Sequence, residues 1–306
     1  MDIVAGPPDK KGFARHSTVS CTYVHHKARG HSPKFTCEIA PGDELKVKYG
    51  QANGEVYAEV AATRLLWALG FGADHMYPVT VECHGCPSDP ARDTRDRRPE
   101  TLFDPATLER KMPGEVMESF PDSGWSWREL DLVSESAGGA PRAHRDALKL
   151  LAVLMQHTDS KPSQQRLVCP SPHLEERQCA EPFMMINDLG LTFGSANALN
   201  SNGAASVNFE RWTKTPVWLH GERCVGNLEK SVTGTLDRPV ISEEGRAFLA
   251  DLLTQLSDAQ LHDLFEVARF PLRSQGVKPG KPMITTDQWV DAFKEKRDEI
   301  VRRSCN

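Results

Sequence analysis

Two short segments of this chain contain side chains that could carry out chemistry together. The first, residues 157–164, reads HTDSKPSQ, and the second, residues 184–190, reads MMINDLG. Phosphoryl transfer needs a carboxylate beside the acceptor hydroxyl, a cation on the phosphoryl group and a second carboxylate on a divalent metal. The two segments supply these groups as Asp159, Lys161 and Asp188.

A buried helix and a short strand must position these segments. Pro141 is favoured in a first helical turn, and residues 147–155 are apolar nearly all round, which predicts a buried helix that ends at the first segment. Phe183 to Ile186 reads as the strand that leads to the second segment.

An earlier strand and helix could add a lysine and a glutamate. Residues 45–49 alternate with period two, so Lys46 and Lys48 share one face of a strand. The apolar stripe over 55–69 predicts a helix that carries Glu59. Either lysine could pair with this glutamate, or all three could be ordinary surface charges.

A turn at residues 30–34 separates two further predicted strands, 19–24 and 35–39. It contains Ser32 and Lys34 but no G-x-G-x-x-G pattern. The turn either covers phosphates with these side chains and its backbone amides or only reverses the chain.

Composition limits the class of protein. The 306 residues are 39% hydrophobic and 26% charged, as in a folded globular protein, with a net charge of −5 and a pI of about 6.1. This balance does not favour a nucleic-acid partner. The longest apolar run, 65–73, is too short to cross a bilayer, and the opening residues lack the basic and apolar regions of a signal peptide.

The eight cysteines favour pairing for at least some of them. Cys21 and Cys37 bracket the first hairpin, and Cys169 and Cys179 bracket a loop between two strand-like runs, so both spacings suit a disulfide. Paired cysteines would indicate an extracytoplasmic or secreted protein whose signal peptide was removed, whereas free thiols would indicate a cytoplasmic one.

Cys83-His84-Gly85-Cys86 has the spacing of metal ligands. No second C-x-x-C or histidine pair in the sequence clearly completes a zinc site. A local disulfide or two free thiols are the alternatives.

The order of elements predicts an α+β protein in two lobes. Residues 1–120 hold strands and one helix and form the nucleotide-binding lobe, with an irregular insertion near 84–112. Residues 121–306 are mostly helical and contain the two chemical segments.

The two segments resemble motifs of the protein kinase-like superfamily. HTDSKPSQ looks like the catalytic loop H-R-D-L-K-P-E-N, and Asp188-Leu189-Gly190 looks like D-F-G. The helix from Glu59 and the run through Phe193-Gly194 are more similar to atypical, secretory-pathway kinases of the Golgi casein kinase type. Spore-coat kinases and phosphoinositide-kinase-like proteins share the layout, and the resemblance spans about 45–195.

The resemblance implies a bilobal kinase-like fold and a role for each group in the two segments. Asp159 would orient or deprotonate an acceptor hydroxyl, and Lys161 would neutralise charge on the γ-phosphate. Asp188 would bind Mg²⁺ or Mn²⁺ with Gln164 as the second ligand.

The resemblance also implies ATP as the cofactor. Lys48 (or Lys46) would hold its phosphates and pair with Glu59, with Lys34 as a further candidate. The acceptor would be a hydroxyl of a protein, lipid or small molecule.

Three departures from the kinase pattern keep other functions open. Thr158 replaces the loop arginine, Gln164 replaces the metal-binding asparagine, and a glycine-rich loop is absent from the sequence. A catalytically weak kinase-like binding module is one alternative, and transfer of AMP on the same fold is another.

Overall fold

The chain is described by a computed structural model that covers residues 1–25, 32–92, 94–117, 124–170, 179, 181–194, 205–277 and 283–306. Its strands are β1 (Thr18–Val24), β2 (Lys34–Ala40), β3 (Asp43–Tyr49), β4 (Gly72–Ala73), β5 (His75–His84), β6 (Glu100–Arg110), β7 (Glu115–Val116), β8 (Gln165–Cys169) and β9 (Phe183–Ile186). Its α-helices are α1 (Glu55–Ala68), α2 (Arg142–Met155), α3 (Phe209–Lys214), α4 (Glu243–Thr254), α5 (Asp258–Val267), α6 (Phe270–Val277) and α7 (Thr286–Arg302). The predicted α+β order, strands first and helices later, is confirmed.

Five strands close into a small barrel in the order β1-β2-β3-β6-β5, and β1 pairs with β5 in parallel to complete it. Strand alternation sends Leu45 and Val47 of β3 into the apolar interior, and Lys46 and Lys48 to the outer face. This is the alternation that the sequence predicts. The two lysines lie opposite Glu109 and Thr107 of β6.

Helix α1 packs against this outer face and is buried over most of its length. The Thr107 hydroxyl donates to the Val56 carbonyl oxygen at 2.8 Å, which joins β6 to the first turn of α1. The opposite side of α1 belongs to the main hydrophobic core, together with residues of α2, α4, α5 and α7. The helix therefore fixes the barrel relative to the helical part.

A second sheet, in the order β4-β9-β8-β7, carries the chemical segments. Strands β8 and β9 are antiparallel, and Gln165 pairs with Ile186. Residue 164 precedes β8 and residue 187 follows β9, so this register brings the ends of the two segments side by side. Strands from both sides of residue 120 enter this sheet, and the boundary of the two lobes stays a prediction.

Three stretches differ from the sequence-based expectation. The irregular insertion predicted near 84–112 is wrong for 100–110, because β6 is the longest strand of the barrel. Helix α3 arises within a region that has no clear periodicity. The capping box Ser257-x-x-Gln260 predicts a helix to about Phe270. The structure instead breaks the helix at Arg269, which has a positive φ of 57° and separates α5 from α6.

All eight cysteines are paired, as Cys21–Cys37, Cys83–Cys86, Cys169–Cys179 and Cys224–Cys305. The pairs Cys21–Cys37 and Cys169–Cys179, whose spacings suit a disulfide, are both present, and the two cysteines of the C-x-x-C motif form a local disulfide. Four such pairs are compatible with an extracytoplasmic location. Within the described part of the chain, no helix combines the length and the apolar character needed to cross a membrane.

The disulfides should differ in their effect on stability because they close loops of different length. Replacing Cys224 and Cys305, which are 81 residues apart, with alanine is expected to lower the free energy of unfolding by about 4 to 5 kcal/mol. Replacing Cys169 and Cys179, which are 10 residues apart, should lower it by about 3 kcal/mol. Urea unfolding of the oxidised variants measures both, and the reverse order would contradict the loop-entropy explanation.

Candidate active site

Lys48 is fully buried at the centre of a group of carboxylates. Its Nζ lies 2.5 Å from Glu59 Oε1, 2.8 Å from Glu55 Oε2 and 3.9 Å from Asp188 Oδ1. Burial alone would lower the pKa of Lys48, but the charges of Asp188, Glu55 and Glu59 outweigh burial and raise it well above its ordinary value. The lysine is therefore held as a cation.

The local structure explains why two glutamates meet this lysine. Glu55 and Glu59 lie four residues apart at the start of α1, on the helix face that covers β3. The Asn53 side chain accepts a hydrogen bond from the Glu55 backbone N–H at 3.2 Å, just before the helix begins. Burial raises the pKa of Glu59, and its Oε2 has no hydrogen-bond partner among the described residues.

Glu55 was not predicted as a site residue, although it connects three parts of the site. Besides Lys48, its Oε2 accepts a hydrogen bond from the Ser32 hydroxyl at 2.8 Å. Gly190, of the Asp-x-Gly segment, approaches it so closely that an added Cβ would lie 2.7 Å from Glu55 Cγ. The spacing of Glu55 and Glu59 on one helix face was the available signal.

The other two lysines predicted to bind phosphate lie on neighbouring strand positions. Lys46 forms an ion pair with Glu109 rather than with Glu59, so the structure pairs Lys48 with the helix glutamate. Lys34 lies opposite Lys48 on β2. Burial, together with the adjacent Lys48 charge, lowers the pKa of Lys34. Three lysines thus concentrate positive charge beside α1.

Asp188 faces this positive charge from the end of β9. Burial would raise its pKa, but the charges of Lys48 and Lys46 overcome that effect and hold it well below the usual range. Its Oδ1 also accepts a hydrogen bond from the Gly190 backbone N–H at 3.1 Å. The side chain keeps 25% of its surface exposed, so an ionised carboxylate remains open to a ligand.

The first segment begins where α2 ends, at Gln156 with a positive φ of 56°. Asp159 Oδ2 accepts hydrogen bonds from Lys161 Nζ at 3.1 Å and from Gln164 Nε2 at 3.0 Å. The Ser231 hydroxyl contacts the other carboxylate oxygen at 3.5 Å. Three of the predicted site residues are thus brought together in one cluster.

Residues 231–236 hold this loop in place from the far side. The Ser160 hydroxyl accepts hydrogen bonds from the backbone N–H groups of Thr235 and Leu236, at 3.2 and 3.0 Å. Ser231 N–H donates to the Thr158 carbonyl at 2.9 Å. Sequence reasoning missed this segment, because its contacts are mostly backbone bonds that leave no periodic pattern.

The two chemical segments converge. Asn187 N–H donates to the Gln164 carbonyl at 2.9 Å, which places the residue before Asp188 against the residue that bonds Asp159. Both aspartate charges also act on the same buried side chain, His157, whose pKa each of them raises. The segments that carry Asp159 and Asp188 therefore lie side by side.

His157 fills the space behind the two carboxylates as a neutral ring. It is 1% exposed, and burial dominates the carboxylate charges and lowers its pKa to about 4. Neither ring nitrogen has a hydrogen-bond partner among the described residues, and the Trp127 ring centre lies 6.0 Å away. Its surroundings suit a packing role rather than that of a base.

The oxygen donors at this edge fit a divalent cation. Asp188 offers an ionised carboxylate and Gln164 an amide oxygen, and both are the hard ligands that Mg²⁺ and Mn²⁺ prefer. Asn187, which precedes Asp188 in the chain, also has a buried Oδ1 without a hydrogen-bond partner among the described residues.

Comparisons with known proteins supply little beyond this geometry. No protein-family model and no curated protein matches the chain. Among solved structures, it is similar to the crystal structure of a Helicobacter pylori proinflammatory kinase, CtkA, with 10% identity, a TM-score of 0.46 and 93% of each chain covered. Identity this low transfers no residue roles, so function must be argued from the site itself.

The buried His157 should make stability depend on pH. Its pKa is about 4 in the folded chain and about 6.5 when exposed, so the unfolded chain takes up the proton first. As the pH falls from 6.5 towards 4, the free energy of unfolding should decrease by about 3 kcal/mol from this group.

Unfolding in urea across this pH range measures the effect. His157→Phe, which keeps a ring in the cavity, should flatten the pH dependence, whereas His220→Gln, at an exposed position, should leave it unchanged. Equal slopes in wild type and His157→Phe would contradict the assignment.

Gly190→Ala should disturb the site through Glu55. The added Cβ would lie within 3.0 Å of Glu55 Cγ, Cδ and Oε2, so the glutamate must move away from Lys48. We expect a loss of about 1 to 3 kcal/mol in the free energy of unfolding.

The double variant Glu55→Ala/Gly190→Ala removes the atoms that clash. It should therefore be no less stable than Glu55→Ala alone, which urea unfolding can test. Additive losses from the two substitutions would show that the close approach is not the cause.

Proposed function

We propose that this chain is an ATP-dependent phosphotransferase of the bilobal kinase-like kind. It transfers the γ-phosphate to a hydroxyl of a protein, lipid or small molecule. The observation that carries the proposal is the buried Lys48, whose Nζ lies 2.5 Å from Glu59 and 3.9 Å from Asp188. This contact joins a strand lysine, a helix glutamate and the carboxylate of an Asp-x-Gly segment, as nucleotide-phosphate sites of kinases require.

The lysines would bind the triphosphate. Lys48 is held in place by its carboxylate partners, and its raised pKa keeps it charged at any physiological pH. Lys34 and Lys46 add positive charge on neighbouring strand positions. Because Lys46 is ion-paired with Glu109, Lys34, at the start of β2, is the better candidate of the two for contact with phosphate.

Asp188 and Gln164 would hold the divalent cation. The Gln164 amide nitrogen donates to Asp159, which leaves its amide oxygen for the metal. Bound Mg²⁺ or Mn²⁺ would supply positive charge against the phosphate oxygens. The longer arm of glutamine, compared with the asparagine of typical kinases, is compatible with this double role.

Asp159 would orient the acceptor hydroxyl and take its proton, since its carboxylate is partly exposed and is fixed by Lys161 and Gln164. Lys161 would move its ammonium group from Asp159 towards the transferred phosphoryl group as negative charge develops there. The buried His157 stays neutral because burial lowers its pKa to about 4, so it would not compete for the proton.

Substitution of the metal-binding carboxylate tests the proposal. Asp188→Asn keeps the shape of the side chain but removes its charge, and should lower metal-dependent ATP turnover by on the order of 100-fold or more. Asp159→Asn should do the same to phosphate transfer. Asp251→Asn, on the exposed face of α4, is the matched control and should retain full activity.

Two measurements separate this function from its rivals. Intact-mass analysis after incubation with ATP and Mg²⁺ or Mn²⁺ should detect added phosphate on a hydroxyl-bearing acceptor or on the chain itself. An AMP adduct would instead identify a nucleotidyl transferase. A binding module would be stabilised by ATP and metal, by about 2.7 kcal/mol at a ligand concentration of 100 times Kd. Its ATP turnover would be the same in wild type and Asp188→Asn.

A further inference from the structure

Three cysteine sulfurs collect inside the barrel, away from the candidate active site, and a fourth is bonded to one of them. The Sγ atoms of Cys21, Cys37 and Cys83 all lie within 4.8 Å of one another, and Cys86 is bonded to Cys83. All four residues are buried. Among the described residues, neither of the other two disulfides has a third sulfur close by.

Barrel closure explains the convergence. Cys21 on β1 pairs in register with Cys83 on β5, and Cys37 faces inward from the neighbouring β2. Cys86 returns to the interior through a turn at Gly85, which has a positive φ of 68°. The Arg98 backbone N–H donates to the Cys86 carbonyl at 2.9 Å and fixes this turn to the chain just before β6.

We propose that, when both disulfides are reduced, Cys21, Cys37, Cys83 and Cys86 bind one Zn²⁺ ion as a tetrathiolate site. A Zn–S bond of about 2.3 Å in a tetrahedron separates the sulfurs by about 3.8 Å. Cys37 Sγ and Cys83 Sγ are already 3.7 Å apart. The C-x-x-C motif supplies the usual ligand spacing, and the barrel supplies the second pair of ligands that the sequence alone does not reveal.

The chemistry balances with a dithiol as the reductant. Two dithiol molecules reduce the two protein disulfides to four thiols and become two cyclic disulfides. Zinc then replaces the four thiol protons, which are released to solvent. In the reverse direction, two cyclic disulfide molecules each take two electrons from the thiolates and two protons from solvent, become dithiols, restore both protein disulfides and release the zinc ion.

The two states cross-link the same strands in different ways. The disulfides join β1 to β2 and close the turn after β5, whereas one zinc ion would join all three strands at a single point. Since β2 and β3 carry the lysines of the candidate active site, either cross-link supports the scaffold of that site. The site would let the barrel remain stable in a reducing as well as an oxidising compartment.

Metal binding by the full-length chain tests the inference. The protein is reduced with a dithiol under anaerobic conditions, freed of the dithiol, and titrated with Zn²⁺ and separately with Co²⁺. We expect one ion per chain, cobalt absorption bands typical of a tetrahedral tetrathiolate, and no binding by the oxidised protein. Chelation of the zinc should lower the melting temperature of the reduced protein.

Variants identify the ligands. Cys83→Ser/Cys86→Ser and the single variants Cys21→Ser, Cys37→Ser and Cys86→Ser should each weaken binding by 100-fold or more, while Cys169→Ser/Cys179→Ser should bind like the wild type. His84→Ala should also retain the site, because His84 Nε2 contacts Ser20 at 2.9 Å and Glu82 at 3.2 Å instead. Circular dichroism checks that each variant is folded.

Three outcomes would overturn the inference. The reduced chain could fail to bind zinc with one-to-one stoichiometry. It could bind equally well with Cys21 or Cys37 replaced, so that the C-x-x-C motif acts alone. It could lose the metal in His84→Ala and keep it in Cys86→Ser, so that histidine is the fourth ligand.

Discussion

A buried ammonium group at Lys48 is the constraint on which the rest of the site depends. A lysine without exposed surface is stable only where carboxylates compensate the loss of hydration, and here Glu55, Glu59 and Asp188 provide them from α1 and from the end of β9. Barrel, helix and second sheet must therefore be assembled together before this charge is satisfied. Removal of Lys48 would leave these carboxylates without their common cation, and removal of a carboxylate would reduce the compensation of the buried ammonium group, so stability and the proposed chemistry rely on the same contacts.

The surrounding structure is arranged to keep these charges in place. Thr107 joins β6 to α1, and α1 lies between the barrel and the main core, so Lys48 and its glutamates cannot shift independently. Gly190 leaves room for Glu55, which a larger residue would displace. The second sheet brings the two chemical segments together through the main-chain hydrogen bond from Asn187 to Gln164, and the Gln164 side chain then bonds Asp159.

Local patterns predicted several elements correctly because they arise from local physics. The period-two alternation around Lys48 predicted strand β3. The capping box at Ser257 starts α5, where the Ser257 hydroxyl accepts a hydrogen bond from the Gln260 backbone N–H at 3.2 Å. Strand β6 was missed because Pro105 lies within it, and proline usually argues against a central strand. The barrel tolerates it where the pairing of β5 with β6 shifts register, between Val79 and Val81.

The sequence by itself determined which groups are available: the acid, the lysine and the amide of residues 159–164, the Asp-x-Gly segment, a strand lysine with a helix glutamate, and two of the disulfide pairs. Only the tertiary structure decided that Lys48 rather than Lys46 meets Glu59, that Glu55 contacts Lys48 and Ser231 contacts Asp159, and that the sulfurs of Cys21, Cys37 and Cys83 converge. The physical reason is the distance along the chain over which each kind of interaction acts. Helix periodicity, strand alternation and capping act over a few residues, whereas these contacts depend on barrel closure and strand register, which join residues far apart in the chain.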